Sequence, residues 1–89
     1  MPLPIDGVLD LHTFKPKDIG SLVTAYLDEC RQRGLLEVSI IHGKGIGNLQ
    51  RSVHALLSRR SDVARFSFAS AAYGGQGATI VTLQPAPRN

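Results

Sequence analysis

The sequence has no tryptophan, one methionine and a single cysteine, Cys30, in 89 residues. One thiol cannot close a disulfide within the chain, which excludes a disulfide scaffold and suits a reducing cytoplasm. No apolar run approaches the roughly 18 residues of a membrane span. The opening MPLPIDG also lacks the basic and apolar regions of a secretory signal. A cytoplasmic location with no membrane partner is the expectation. Repeats, low-complexity tracts and composition breaks are missing too, so residues 1–89 read as one domain with its core in 8–83. A chain this short buries only about 60–65% of its unfolded surface, enough for one core. Aromatics are scarce at 6%. Phe66 and Phe68 read as core rather than as a platform for stacked bases.

What is present is an ordinary globular balance, 43% hydrophobic and 19% charged. The net charge of +3 favours anionic partners, but weakly. Position says more than the total. Lys44, Arg51, Arg59 and Arg60 lie at or after a glycine-rich corner, while Asp18, Asp28 and Glu29 come earlier.

VLDLH (8–12) reads as a buried strand. Pro16 suits the first turn of a helix, where its missing N–H costs nothing. From there Ile19, Leu22, Val23, Tyr26, Leu27 and Cys30 recur at helical spacing, and Gly34 supplies the stop. Cys30 falls on that apolar stripe, which favours inert packing over a nucleophile. LLEVSIIH (35–42) is a second strand. A second helix starts near Asn48, a good cap residue, with Leu49, Val53, Leu56 and Leu57 facing inward. VARFSFA (63–69) alternates as a half-exposed strand, AAYGGQG (71–77) is a turn, and ATIVTL (78–83) is the last strand. The tail QPAPRN is expected to fray. Strand-helix-strand-helix-strand-strand implies an α/β two-layer sandwich: a four-stranded mixed sheet with both helices on one face. The first two strands should be parallel and the last two an antiparallel pair.

That topology puts His12 and His42 at the carboxyl ends of neighbouring parallel strands, where ligands bind in open α/β sheets. Asp10 shares a strand face with His12. Gly43, Gly45 and Gly47 let backbone N–H groups point at one ligand, the following helix adds its positive end, and Lys44 adds a mobile charge. Two imidazoles, a carboxylate and an anion cradle make a reasonable phosphodiester site, with histidine exchanging protons near neutral pH. His54, three residues after Arg51, reads as solvated surface. Lys15, Lys17, Arg59 and Arg60 read as a solvated rim.

Nucleotide cofactors fare poorly. GKGIG lacks the phosphate-loop spacing G-x-x-x-x-G-K-[ST] and misses G-x-G-x-x-G by one position. Asp62 precedes a strand where a ribose-binding acid ends one. No clustered ligand signature such as H-x-x-x-H argues for a metal, although a divalent ion on His12, His42 and Asp10 is geometrically open. No cofactor is expected.

Three elements in order, LDLH (9–12), IIHGKGIG (40–47) and GGQGATIVTL (74–83), resemble the small MutS-related, or Smr, domain family over about Val8 to Leu83. The resemblance implies the two-layer fold argued above, similar to the C-terminal domain of bacterial translation initiation factor three. It implies binding to DNA or RNA, with endonuclease activity in several members. Carried across, the DLH acid and histidine are Asp10 and His12, tied to cleavage. The HGxG element is His42, Gly43, Lys44 and Gly45, tied to nucleic-acid contact and activity. The third element is Gly74, Gly75 and Gly77. Where many members continue DLH with glycine, this chain has Thr13 and Phe14, a bulkier and stiffer loop. The chain is expected to act as a short stand-alone member.

The expected function is therefore a nucleic-acid-binding domain with endonuclease activity, acting on DNA or RNA, branched or structured forms included. Asp10, His12 and His42 are the expected catalytic groups. Gly43, Lys44, Gly45, Gly47, Arg51, Gly74, Gly75 and Gly77 are the expected phosphate contacts. The alternative is a non-catalytic nucleic-acid or ribonucleoprotein binding module.

Overall fold

The computed structural model describes residues 4–44, 47–73 and 75–87. Strand β1 (Val8–Asp10) leads through a 3₁₀ turn at Pro16–Asp18 into helix α1 (Ile19–Gln32). Then come β2 (Glu37–Ile41), α2 (Asn48–Arg59), β3 (Val63–Phe68) and β4 (Ala78–Leu83). The sheet order is β1-β2-β4-β3. β1 and β2 are parallel, whereas β4 runs antiparallel to both β2 and β3. This is the expected four-stranded mixed sheet and two helices.

Alternation decides which side chains meet the helices. Leu9, Val38, Ile40, Thr79, Val81 and Leu83 occupy one face and are buried. On α1 the stripe Ile19, Leu22, Val23, Tyr26, Leu27 and Cys30 is buried as its spacing predicts. On α2, Val53 and Leu57 are buried, while Leu49 and Leu56 are partly covered. The apolar side chains among these form one core cluster, with Leu49 and Leu56 packed against it. Cys30 has no exposed surface, and burial pushes its thiol pKa up, as expected of a packed cysteine.

Helix ends follow local chemistry, with one departure. Gly34, after α1, takes φ +77°, the left-handed conformation a helix stop uses. At α2 the cap is Gly47 (φ +86°), and Asn48 is the first helical residue rather than the cap. No side chain caps this end. The left-handed turn at Gly47 brings the chain in at an angle that asparagine's side chain is not needed to fix.

Two other expectations change. Arg60 is no solvated rim residue. Its guanidinium grips both oxygens of Asp62 at 2.8 and 2.7 Å and reaches Asp28 at 2.7 Å. The start of the tail is held as well, because Arg31 donates to the carbonyls of Gln84 (2.9 Å) and Pro85 (3.0 Å). At the start of β1, the Tyr26 hydroxyl accepts the Gly7 N–H at 3.1 Å and lies 3.1 Å from the Val8 carbonyl. Tyr26→Phe should cost about 1–2 kcal/mol, since it strips one hydroxyl from two backbone groups beside the core. A urea titration reads this directly. An unchanged midpoint would show that water serves those groups equally well.

Candidate phosphodiester site

β1, β2 and β3 all point the same way, so their carboxyl ends and the start of β4 share one rim of the sheet. Every functional candidate that the structure describes falls on or near this rim. Gly45 and Gly74 lie outside the described residues.

At the β1 end, Asp10 and His12 form a dyad. One carboxylate oxygen of Asp10 lies 2.7 Å from His12 Nδ1 and also accepts the His12 backbone N–H at 3.0 Å. A carboxylate can only accept, so Nδ1 carries the proton and Nε2 of the neutral ring is left as a base. The side chains are 45% and 75% exposed, open to a large substrate. The Asp10 pKa is lowered, first by the His12 backbone N–H and then by the His12 ring. Asp10 therefore stays a carboxylate when the ring must carry charge.

At the β2 end the chain turns through Gly43 (φ +80°), Lys44 and Gly47 into α2. A cavity of about 240 Å³ opens here, lined by His42, Gly43, Lys44, Gly47, Asn48, Leu49 and Gln50. An α-helix leaves its first N–H groups without partners in its own ladder, which favours anions at this end. No acidic residue in the first turn of α2 opposes that. Arg51 follows one turn in, exposed.

The glycine amides do not all point at a ligand. The Gly43 N–H and the His42 N–H both donate to the Gly77 carbonyl, at 2.8 and 3.0 Å. Gly77 thus ties the third glycine element to the second, with Lys44 Cγ 3.6 Å from where a Cβ on Gly77 would stand. Gly75 (φ +55°) makes the turn just before it.

His42 also departs from the geometry expected of it. Strand register sets Asp10 opposite Ile41, so Leu11 and His42 continue on the helix-facing side. Asp10 and His12 take the other side. His42 is only 8% exposed, and both of its ring nitrogens are engaged. Nδ1 donates to the Gly43 carbonyl at 2.9 Å, and Nε2 meets Thr79 Oγ1 at 2.7 Å. His42 borders the 240 Å³ cavity, whereas His12 is not among its lining residues. The two imidazoles share a rim but do not converge on one pocket.

The Smr domain family profile matches residues 9–84. The chain belongs to the Smr domain family. It is 39% identical over 77 residues to the endonuclease MutS2 of Solidesulfovibrio magneticus, covering 86% of this chain and 10% of that protein. Endonuclease MutS2 of Listeria welshimeri is 41% identical over 81 residues, 91% of this chain and again 10% of the relative. The chain thus spans about a tenth of the MutS2 proteins it matches. The crystal structure of the Smr domain of Thermus thermophilus MutS2 superposes with a TM-score of 0.83 at 33% identity, covering 88% of this chain and 98% of that one. YdaL, a stand-alone small MutS-related protein from Escherichia coli, superposes at 0.81 with 31% identity, covering 91% and 66%.

Two residues of this Smr domain belong near the site though the sequence reading left them out. His54, read as solvated surface, is half-buried, and its Nε2 lies 2.8 Å from the same Thr79 Oγ1 that His42 contacts. Its ring packs on Phe66 and Phe68, with centroids 5.0 and 5.3 Å away. Phe68 itself is 39% exposed rather than core. Thr79 was legible: it occupies an inward register otherwise held by Val81 and Leu83. Among the described residues, no three histidine, cysteine, aspartate or glutamate side chains gather as metal ligands, and no helix is long and apolar enough to cross a membrane.

Proposed function

We propose that this Smr domain binds nucleic acid and cleaves its phosphodiester backbone. The observation that carries the reading is the Asp10–His12 dyad: Nδ1 is held at 2.7 Å by a carboxylate, and the ring is open to a polymer-sized substrate. His12 Nε2 removes the proton from the attacking oxygen as that oxygen bonds to phosphorus. In RNA the attacker is the neighbouring 2′-hydroxyl, and in DNA it is water. The leaving oxygen departs with the bonding pair and takes a proton from imidazolium or solvent. Asp10 stabilises the imidazolium in between. Lys44 and the positive end of α2 offset the negative charge that builds on the phosphate oxygens. His42, with both ring nitrogens occupied, supports the corner rather than moving protons.

Incubating the chain with matched single-stranded, duplex and branched DNA and RNA, with and without a chelator, tests the proposal. The chelator arm separates histidine chemistry from metal-assisted chemistry. Intact substrate under every condition defeats the endonuclease reading.

The second reading, a binding module without cleavage, draws support from the saturated His42, which leaves one open imidazole at the rim. Both readings need Lys44 as a phosphate contact. Lys44→Ala should weaken binding about three- to tenfold and lower the slope of log K against log salt by about one. Equal slopes for the two proteins would remove Lys44 from the interface.

A further inference from the structure

A chain of hydrogen bonds runs beneath the rim, from α2 through β4 to β2. His54 Nε2 lies 2.8 Å from Thr79 Oγ1, Thr79 Oγ1 lies 2.7 Å from His42 Nε2, and His42 Nδ1 lies 2.9 Å from the Gly43 carbonyl. Its direction follows from what each atom can do. The Gly43 carbonyl only accepts, so His42 Nδ1 carries a hydrogen. In the neutral ring Nε2 then accepts, and the Thr79 hydroxyl must donate to it. Having spent its one hydrogen, Thr79 Oγ1 accepts from His54 Nε2–H. With both rings neutral, these contacts admit one arrangement: His54 N–H to Thr79 O–H to His42, and His42 N–H to Gly43.

We propose that Thr79 and His54 are positioning residues for the Gly43–Lys44 corner, acting by locking the tautomer of His42. The locked Nδ1–H engages the Gly43 carbonyl, so that its negative end is not presented bare to an incoming phosphate. The Gly77 carbonyl is occupied in the same way by the N–H groups of His42 and Gly43. Two acceptors that would repel an anion are thus satisfied from within, and Lys44 and the start of α2 set the potential of the cavity. Without the Thr79 hydroxyl, only the Gly43 carbonyl still favours hydrogen on Nδ1, and the two tautomers of His42 can mix. In the Nε2–H form the Gly43 carbonyl faces a lone pair and turns away.

Packing alone does not ask for this chain. Thr79 is fully buried opposite Ile40 and Phe68, in a register where valine would fit the same space. Burying a hydroxyl against two imidazoles adds little net stability over an apolar contact, while fully satisfied buried networks specify one arrangement. Phe66 and Phe68 flank His54, and Phe68 also lies edge-on to His42, with centroids 6.4 Å apart. This shields the chain from water and gives the half-exposed Phe68 a purpose. The His54 pKa is lowered, first by burial and then by His42, in keeping with a ring held neutral as the chain requires.

The effect on anion binding rests on the function proposed above; the tautomer lock does not. Both are read in one experiment, combining ¹⁵N-detected imidazole NMR above the histidine titration range with binding of a short single-stranded RNA. Wild type should show hydrogen on Nδ1 of His42 and on Nε2 of His54. Thr79→Val should mix the His42 tautomers and weaken RNA binding about tenfold, while Thr79→Ser restores both to within about twofold. Should the valine variant fail to fold, His54→Gln, whose amide N–H can still donate to Thr79, should resemble wild type, and His54→Leu should not. Hydrogen on Nε2 of His42 in wild type overturns the inference, as does an unchanged tautomer in folded Thr79→Val or His54→Leu. Tautomers as described in a wild type that binds no RNA uphold the lock and count against the nucleic-acid reading instead.

Discussion

His12→Ala is expected to lower strand cleavage by about 10²–10⁴-fold, the usual contribution of a positioned acid–base group. The expectation depends on the ring having one role to lose. Nδ1 is committed to Asp10, and the side chain is 75% exposed, so it contributes little to packing. Melting temperature should therefore stay within error of wild type, since surface substitutions away from structural networks usually change stability by less than about 0.5 kcal/mol. Asp10→Asn is the sharper companion. Asparagine can still accept the Nδ1–H and the backbone N–H, so the geometry survives while the charge that stabilises imidazolium disappears. A fall of about 10²–10⁴-fold follows, comparable with that for His12→Ala, because a neutral amide neither stabilises imidazolium nor fixes the ring's tautomer. Because hydrogen bonding from His12 holds the Asp10 pKa below the usual carboxylate range, Asp10 stays ionised through neutral pH. Loss of activity on mild acidification therefore does not come from Asp10. Cleavage rates and melting curves for the three proteins check both expectations. Equal rates would leave the dyad without a catalytic part.

Why the dyad was legible in the sequence, and the rest of the rim was not, comes down to the range of the interactions. Asp10 and His12 are two residues apart on an extended strand, so period-two alternation alone brings them together. The stripe on α1 and the Gly34 stop are equally local, and the parallel pairing of the first two strands followed from connection rules that hold for short βαβ units. His42 was misplaced by one step of the same alternation. Its strand end lies beside that of β1, but the register Asp10–Ile41 turns its ring toward the helices while His12 faces away. Register is a property of two strands and cannot be read from either alone. His54 failed for a related reason. It sits beside Val53 on the edge of the apolar stripe of α2, where covered and exposed positions meet. Only the location of Thr79, 25 residues further along the chain, decides which it is. Arg60 reads as an exposed cation until Asp28 and Asp62 are brought to it from two other segments.

Arg60→Ala should lower stability by about 2–3 kcal/mol, although the side chain lies outside the apolar core. The guanidinium is 15% exposed and its partner Asp62 is 11% exposed. Removing it leaves a largely covered carboxylate whose other cation, Arg31, stands at 3.7 Å. Breaking a fully buried pair costs about 3–5 kcal/mol, and the residual exposure and Arg31 bring the figure down. For a domain of this size the loss corresponds to a melting temperature lower by roughly 10–20 °C. The pH dependence distinguishes this cause from simple loss of packing. The Asp62 carboxyl is held below the usual carboxylate range, first by hydrogen bonds from Arg60, so the folded state favours the ionised form. Its contribution is fully present above about 4, the unfolded range, and is lost as pH falls through the lowered folded value. His54 acts in the same direction at higher pH. Its pKa is lowered from 6.5 in the folded state, so stability drains as pH drops below that value and the ring is forced to charge. Wild type should therefore weaken in two acid stages. Arg60→Ala should keep the first stage and lose most of the second, and the gap between the two proteins should narrow as pH falls below the carboxylate range and Asp62 is protonated. His54→Gln should do the reverse. Thermal melts across this range decide it: a constant gap between wild type and Arg60→Ala down to the lowest pH would mean that Arg60 stabilises the fold by packing its stem, not by pairing its charge.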